Sequence, residues 1–477
     1  MRSSRYAVPL IIFLCLNLWT PIHVTAAKSN TVHALQSISY IQASSSTSYA
    51  IDQNGTTFTW GLGKNAGTGD NYIHLSPLSF TTPSTPFKAI SPGSSIYTSA
   101  VTEKGQVYTW GVEDPSGQKT STPVQIQDLT SIVTTATGAK HVLALDKDGQ
   151  VWGWRSNASG QLDKTKTNTT SFYNTPVRLS GLNEVTAIAA YDNYSIALKK
   201  DGTLWGWGSV DNTITAPTLL TNGKQIISAK MSYEKIVAVN KQGKILYWDL
   251  SSNMVAPKTY ILKLPAIATD NSSTGVIYAI ADNHTVWKID PQNSQTAITQ
   301  VSGLQQITQV ASGINFTLAL DQNGNVHSWG MNDKGQLGIS DPSISSSATP
   351  VIVQKPIIVT LNNSTIRMPN APLLIKNAVY VPVRGLFEKM NATVVWDKTN
   401  KNDVSITDGD TVIRLTKGKN TAIVNGKTVS LSSPPQYANE SIFIPLRFIS
   451  ETIGAKVNWN SANYEVDIHT DGVTTTN

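Results

Sequence analysis

The sequence predicts a mainly β protein, a seven-bladed β-propeller followed by a small duplicated α+β domain. Two observations predict it: a short aromatic phrase occurs seven times between Asp52 and Gly330, and a different pattern occurs twice nearer the C-terminus. A period of about 40 to 50 residues built from short strands is typical of propeller blades, since one small sheet cannot bury both of its faces alone.

Each copy of the phrase begins with an acidic or polar residue, continues through a turn and ends in an aromatic strand that usually finishes with Trp or Trp-Gly. We expect tight two-residue hairpin turns, because Asn-Gly and Asp-Gly supply positive φ and β-branched or aromatic residues flank them. The turn residues are Gly55, Gly105, Gly149, Gly202, Gly243, Asn283/His284 and Gly324.

Nine of the twelve Trp residues fall inside these repeats. Aromatic side chains are the largest apolar groups that a thin sheet can carry, so we interpret them as packing between blades and not as a ligand cage. The nine are Trp60, Trp110, Trp152, Trp154, Trp205, Trp207, Trp248, Trp287 and Trp329.

The repeats resemble the regulator of chromosome condensation family, whose blades carry Gly-x-x-His-(Ser/Thr)-Leu-Ala-Leu, then Asp-Gly-x-Val-(Tyr/Trp)-x-Trp-Gly, then Gly-Gln-Leu-Gly. The seventh copy matches best, with a Leu-Ala-Leu strand ending at Leu320 and with Gly335-Gln336-Leu337-Gly338. The third copy has Gly138, His141 and Gly160-Gln161-Leu162, and the second keeps only Gly117-Gln118.

This resemblance covers about residues 34–355 and implies a propeller fold. Blades five and six have lost most of the glycines, so we expect their loops to differ. The fold alone does not carry a function across, because one fold hosts unrelated activities.

A second duplicated pattern follows Lys355-Pro356. The run YVPVRGLFEKMNATVVWD from Tyr380 repeats as FIPLRFISETIGAKVNWN from Phe443, at a constant offset of 63 residues. Each copy predicts a strand ending in proline, a helix of about ten residues and a strand finishing at Trp396 or Trp459. Arg and Glu lie four residues apart in both helices, at 384/388 and 447/451. We interpret them as structural pairs, with a site for a cell-wall ligand as the alternative.

The segment from about 357 to 468 resembles the copper amine oxidase N-terminal-like, or stalk, domain. The shared features are Asn425-Gly426-Lys427, the paired (Val/Ile)-Pro-(Val/Leu)-Arg motifs and the run from Gly454 to Trp459. In the oxidases this domain is a peripheral appendage, and the copper chemistry belongs to another domain that this chain is too short to include. Asn463-Tyr464-Glu465-Val466 lacks the last Tyr of the quinone precursor, and we expect it to be structural on a terminal strand.

The N-terminus predicts export. Arg2 and Arg5 precede an apolar run from Ala7 to Trp19, and small residues end at Ala27, so residues 1–27 read as a secretory signal peptide. An uncleaved anchor is the alternative, but the run is short for a membrane span. Cys15, the only cysteine, lies within it and lacks a lipoprotein context, so the mature chain would have no disulfide. This favours a secreted or wall-associated protein of a Gram-positive bacterium.

Composition argues against several classes of function. Only 14% of the residues are charged and the Lys and Arg residues are scattered, so no nucleic-acid partner is expected. There is no nucleophile elbow, phosphate-binding loop or dinucleotide fingerprint. The seven His residues are dispersed, so no metal site is predicted. No catalytic, cofactor-binding or metal-ligating residue is assigned.

The leading hypothesis is a non-catalytic, exported binding or scaffold protein of the cell envelope, a monomer whose propeller loops recognise a protein or a cell-wall glycan. One alternative is a hydrolase or lyase acting on wall or extracellular glycan, with loop acids converging on the central channel. The candidate acids are Glu113, Asp114, Asp163, Asp211 and Asp333. A second alternative, implied by the propeller resemblance, is a secreted inhibitor that covers the active site of a β-lactamase. Nucleotide exchange, known in nuclear relatives, conflicts with the signal peptide.

Overall fold

The computed structural model describes residues 34–470 apart from several short segments. Those segments are 64–65, 71, 81–82, 96, 112–119, 164, 166–170, 211–212, 222–224, 253–255, 294–297, 369, 377, 398–402, 439–440 and 454. The predicted signal peptide and Cys15 lie outside the described residues. No helix in the described part of the chain is long and apolar enough to span a membrane.

Seven four-stranded antiparallel sheets follow one another along the chain, each built from four consecutive strands, and this confirms the predicted fold class. Blades one to three comprise β1 (Ile38–Ser44), β2 (Thr47–Asp52), β3 (Thr57–Leu62), β4 (Ile73–Ser79), β5 (Phe87–Pro92), β6 (Thr98–Thr102), β7 (Val107–Gly111), β8 (Thr120–Ile126), β9 (Ile132–Thr137), β10 (His141–Asp146), β11 (Val151–Ser156) and β12 (Phe172–Arg178).

Blades four to seven comprise β13 (Val185–Tyr191), β14 (Tyr194–Lys199), β15 (Leu204–Val210), β16 (Thr213–Leu219), β17 (Ile226–Ser232), β18 (Lys235–Asn240), β19 (Ile245–Asp249), β20 (Lys258–Tyr260), β21 (Ala266–Asn271), β22 (Ile277–Ala281), β23 (Val286–Ile289), β24 (Ile298–Gln300), β25 (Ile307–Ser312), β26 (Phe316–Asp321), β27 (Val326–Met331) and β28 (Ser346–Ile352).

The ring closes without exchanging a strand between the first and last blades. The first strand of each blade contacts the first strand of the next, and β1 contacts β25 and β26 in turn. Leu35 N–H donates to Val353 O at 2.8 Å and Ile38 N–H donates to Gly324 O at 3.1 Å. Closure therefore depends on main-chain bonds and packing between complete sheets.

The hairpins between the second and third strands contain three loop residues, not the two predicted. In blade one, Gly55 N–H donates to Asp52 O at 3.0 Å and Asp52 N–H donates to Thr56 O at 3.0 Å. Gly55 has φ +80°, which makes a type I turn followed by a left-handed residue. The Asp52 carboxylate stabilises this loop, because it accepts the N–H groups of Asn54 and Thr56. In blade six His284 takes this position with φ +63°.

The two ends of the ring differ in their connections. Because the strands of a blade alternate in direction, the turns between strands one and two and between strands three and four share one end, the 1–2 face. The hairpins between strands two and three and the links between blades share the other end, the 2–3 face.

Blade cores are built from a central alanine and a large aromatic. Every second strand has a fully buried Ala, and most third strands bury a Trp, as the sequence predicted. The alanines are Ala50, Ala100, Ala144, Ala197, Ala238, Ala279 and Ala319. The small alanine side chain of one sheet leaves space between the sheets, and the indole of the neighbouring sheet fills that space.

The C-terminal region forms three sheets and two short helices. Its strands are β29 (Ile358–Leu361), β30 (Ser364–Thr365), β31 (Leu373–Ile375), β32 (Ala378–Pro382), β33 (Thr393–Trp396), β34 (Asp403–Asp408), β35 (Thr411–Thr416), β36 (Thr421–Val424), β37 (Lys427–Ser430), β38 (Gln436–Ala438), β39 (Ser441–Pro445), β40 (Lys456–Asn460) and β41 (Glu465–His469). The helices are α1 (Val383–Lys389) and α2 (Leu446–Ile453).

Both helices are shorter than the ten residues predicted. In α1, Arg384 is extended and Gly385 has φ +88°, so regular helix begins only after them. Arg384 and Glu388 form the predicted pair, with Nε and Oε1 3.7 Å apart and both side chains exposed. The Glu451 side chain of the second pair lies outside the described residues.

The duplication produces an approximate two-fold axis. Tyr380 pairs with Pro445, Val381 with Ile444 and Pro382 with Phe443, so each copy of the motif meets the other copy in antiparallel register. The flanking sheets are ordered β40-β41-β29-β30 and β33-β34-β35-β36-β37. They are equivalent except that β35 is inserted in the second sheet. The 63-residue offset in the sequence is thus a structural symmetry.

The C-terminal region packs against the outer strand of blade one. Leu75 of β4 is buried in one cluster with Leu373, Ile375, Tyr380 and Phe443. This contact buries apolar side chains of both regions together, so the C-terminal region is held to the propeller by more than its linking chain.

Candidate functional site

A polar cavity of about 150 Å³ occupies the central channel toward the 1–2 face. Its wall comes from the first strands of the blades, and most wall residues are Ala, Ser and Thr. On this measure of volume it has room for several water molecules. The side chains that stand out from this small, neutral lining are Tyr40, Gln42, Tyr191, Lys230, Tyr233 and Asp270.

Asp270 is the only carboxylate among the described residues that line this cavity. Its Oδ1 accepts the Asn271 N–H at 2.8 Å and its Oδ2 accepts the Ser312 N–H at 3.0 Å. The surrounding protein removes it from bulk water and raises its pKa from 3.8 to about 6, while the charge of Lys230 and the two N–H groups act in the opposite direction. The side chain keeps partial contact with solvent, so the channel does not seal it off.

Three tyrosines complete the polar wall. Tyr40 donates its hydroxyl to Ile90 O at 2.7 Å, and burial raises its pKa to about 12. The rings of Tyr191 and Tyr233 lie 4.7 Å apart between centroids. Burial, followed by its contact with Tyr233, raises the pKa of Tyr191 well above its ordinary value. All three are therefore neutral, and they offer ring faces and hydroxyls to the cavity.

The turns of the 1–2 face bond to one another around the cavity. Ser44 Oγ donates to Gly93 O at 2.7 Å, and Asp192 N–H donates to Ser94 Oγ at 3.0 Å, which links blade two to blade four. A Cβ added to Gly93 would lie 2.3 Å from Gly138 O, so glycine is required for this approach. The cavity wall is consequently braced by its own turns.

The acids proposed from the sequence do not assemble a catalytic pair in the described structure. Asp163 and Asp333 lie in loops between third and fourth strands and neither lines the cavity. Asp163 accepts the Thr165 N–H and hydroxyl, and Asp333 pairs with Lys334 at 3.2 Å. Their expected convergence on the channel was wrong, because these loops lie outside the ring of first strands. Glu113, Asp114 and Asp211 lie outside the described residues.

The histidines that the structure describes have local roles. His141 is fully buried, its Nε2 lies 2.9 Å from Ser195 Oγ, and burial lowers its pKa to about 3. His74 and His469 each contact one aspartate. No group of three or more potential metal-binding side chains occurs within the described ranges. Tyr464 is buried and stacks edge-on with Trp459 at 5.3 Å, just before β41 rather than on it.

The Gly-Gln-Leu-Gly loops hydrogen-bond to the Trp side chains of neighbouring blades. Trp60 Nε1–H donates to Gln336 O at 2.8 Å and Trp207 Nε1–H donates to Gln161 O at 2.8 Å, so each Gln carbonyl binds the Trp of the following blade. Trp248 follows blade four, which lacks this loop, and its Nε1 is buried with no hydrogen-bond partner among the described residues, as is Trp154 Nε1.

The 2–3 face carries exposed apolar side chains that the sequence analysis missed. The first strand of every blade has a bulge at its second residue. Thr186 and Thr308 occupy it in two blades and donate to a carbonyl of the second strand. Blades five and six have Ile227 and Ile267 there, 48% and 41% exposed, and blade three has Val133, 40% exposed. Further exposed apolar residues at the same end of blades four to six are Leu219, Ile261 and Leu264.

Both parts of the chain match models of known families. Residues 360–468 match the copper amine oxidase N-terminal domain. Residues 185–213 and 307–336 match one regulator of chromosome condensation repeat model, and residues 323–363 match another. Parts of the propeller are thus similar to regulator of chromosome condensation repeats. This agrees with the two resemblances drawn from the sequence.

Relatives of the propeller part are distant. Protein pim1 of Schizosaccharomyces pombe is 23% identical over 286 residues, which cover 55% of this chain and 50% of pim1. The ultraviolet-B receptor UVR8 of Arabidopsis thaliana is 24% identical over 351 residues, covering 63% of this chain and 78% of the receptor. The chain thus spans about half the length of pim1. A solved structure of Prp20p from Saccharomyces cerevisiae is 19% identical, with a TM-score of 0.41 and coverage of 67% of this chain and 77% of that one.

Proposed function

We propose that this protein is an exported, non-catalytic binding protein of the bacterial cell envelope that docks a protein partner on the 2–3 face of its propeller. The observation that carries the docking site is the group of exposed apolar side chains on blades four to six, with Ile227 and Ile267 at its centre. Such residues are costly to leave in water at one end of three adjacent blades, and they are typical of protein interaction sites.

Export and envelope location are supported by the N-terminal segment of the sequence alone. The relatives include the ultraviolet-B receptor UVR8 and the guanine nucleotide exchange factor SRM1 of Saccharomyces cerevisiae, and these names describe those proteins. The second region, held on blade one through Leu75, would position the propeller relative to the wall.

A glycan hydrolase is the weaker candidate. Retaining and inverting glycosidases both need two carboxyl groups on either side of the scissile bond. Among the described residues the cavity holds the Asp270 carboxyl alone, and Asp163 and Asp333 are held elsewhere by local bonds. A glycan partner bound without chemistry remains an outcome of the test below.

The test is capture by the immobilised full-length mature chain from secreted proteins and from a wall fraction of the host. Ile227→Asp and Ile267→Asp should each abolish retention of the partner while leaving thermal unfolding unchanged. Ile423→Asp is the matched control, since Ile423 is 44% exposed but lies on the C-terminal region. Retention that survives both substitutions on the 2–3 face, or release of soluble sugar from the wall fraction, would overturn the proposal.

A further inference from the structure

Two opposite charges occupy equivalent positions in neighbouring blades. Lys230 is the fifth residue of β17 and Asp270 is the fifth residue of β21, and their strand partners Val237 and Tyr278 are equivalent too. The other blades place Gln42, Ser91, Ala136, Ala189 and Ala311 at this position. The charges therefore interrupt a lining that is otherwise neutral.

Lys230 and Asp270 do not satisfy each other. They line the same cavity, and the lysine charge acts on the aspartate, yet Lys230 Nζ lies within 4.0 Å of no carboxylate among the described residues. Among the described residues, the hydrogen-bond partners of Asp270 are two backbone N–H groups. Two opposite charges that line one cavity without contacting each other leave room for a molecule to bind between them.

The rest of the wall suits a small molecule with an apolar middle. Tyr40, Tyr191 and Tyr233 provide neutral ring faces, and Ala189 and Met231 line the cavity beside them. An aromatic ring face attracts an ammonium group electrostatically, as a carboxylate does, but the attraction is weaker. The braced turns of the 1–2 face keep these groups in place, which lowers the entropy lost on binding.

We propose that the channel cavity binds a small zwitterion, an amino acid or related amino-carboxylic compound, with its ammonium group on Asp270 and its carboxylate on Lys230. The two charges of the ligand replace the missing ion pair, and its carbon chain lies along the tyrosine rings. This site lies toward the opposite end of the ring from the proposed docking face. It stands independently of the protein partner.

The probes are glycine, β-alanine, 4-aminobutanoate and 6-aminohexanoate, titrated by calorimetry into the full-length mature chain. Butylamine and butanoate carry one charge each and serve as ligand controls. A compound whose two charges match the span between Lys230 and Asp270 should bind at least about 10-fold more tightly than either control, because hydrogen bonds to charged groups are the strong ones.

Asp270→Asn and Lys230→Met should each weaken that binding about 10- to 100-fold. Asp282→Asn and Lys241→Met are matched controls in the hairpins of the same two blades at the 2–3 face, and they should change nothing. Equal binding of butylamine, full affinity in Lys230→Met, or no binding at about 1 mM by any zwitterion would overturn the site. Ile227→Asp should bind the zwitterion normally, so this result and the partner-capture result can fail separately.

Discussion

The Asp270 carboxyl should make folding stability depend on pH in a direction opposite to most acids. Its pKa is 3.8 when exposed and about 6 in the folded protein. Between these values the folded state holds a proton that the unfolded state has released. The contribution of Asp270 to stability is therefore fully present below about pH 4 and is lost as the pH rises through 6. The difference of about two pKa values corresponds to at most about 3 kcal/mol.

Asp270→Asn removes this dependence because the amide does not titrate. The amide oxygen can accept only one of the two N–H bonds from Asn271 and Ser312, so the variant should lose about 1 kcal/mol at low pH. At neutral pH the variant also avoids the cost of burying an ionised carboxylate, and this gain is larger than the loss of the hydrogen bond. The variant should be less stable than the natural protein at pH 4.5 and more stable at pH 7.5.

Urea unfolding of both proteins from pH 4.5 to 7.5 measures the change. His141 also contributes to the pH dependence, since its lowered pKa means that stability is lost as the pH falls below about 6.5, but this contribution is common to both proteins and cancels. The free-energy difference between them should shift by about 2 kcal/mol across the range. A difference that is constant to within about 0.5 kcal/mol would show that Asp270 is not held away from water and would refute the reasoning.

The remaining predictions concern the ring, its turns and its attached region. Trp60→Phe and Trp207→Phe each remove an indole N–H donor, the first at the contact that closes the ring and the second at a contact between two internal blades. Urea unfolding should show a similar loss of about 2 kcal/mol of stability for each variant. A far larger loss for Trp60→Phe would mean that the closing contact is a distinct weak point of the ring. Gly243→Ala should lower the midpoint of thermal unfolding clearly more than Gly181→Ala. Both glycines have positive φ, but only a Cβ on residue 243 would meet a neighbour, Pro265 Cβ at 2.4 Å. Equal losses for the two variants would contradict the packing of that turn. Phe443→Ala should cost about 3 to 5 kcal/mol and speed proteolysis of the C-terminal region, and an unchanged digestion pattern would show that its contact with blade one does not hold the two together.

Local patterns in the sequence were sufficient for the hairpins and the packing aromatics. The turn glycines and the buried tryptophans belong to short phrases of about ten residues, and the interactions that determine each hairpin lie within the phrase. The three-residue loops were missed because Asn-Gly or Asp-Gly by itself predicts a complete two-residue turn, whereas the glycine follows a type I turn as the third loop residue. In blade one an Asp three residues before Gly55 stabilises this loop and is a signal that could have shown it.

The cavity could not be predicted in the same way. The first strands of the blades share no aromatic phrase, and Lys230 and Asp270 lie in separate repeats. Only the register of β17 with β18 and of β21 with β22 shows that the two occupy one level of the channel. The acids chosen from the sequence were in loops, where charged residues are easy to notice and are usually solvated. The charged residues with an unusual environment lie instead on strands.

Blades five and six depart from the other blades in their first strands, which carry Lys230 and Asp270 where the others have Ala, Ser or Gln. Their bulges carry the exposed Ile227 and Ile267, a feature shared only with Val133 of blade three among the described residues. Repeats that serve only packing are expected to keep the residues that packing requires, and departures from local rules concentrate at functional sites. Because the charged positions lie toward the 1–2 face and the isoleucines lie at the 2–3 face of the same two blades, a ligand in the channel and a partner on the 2–3 face would bind the same pair of sheets at opposite ends.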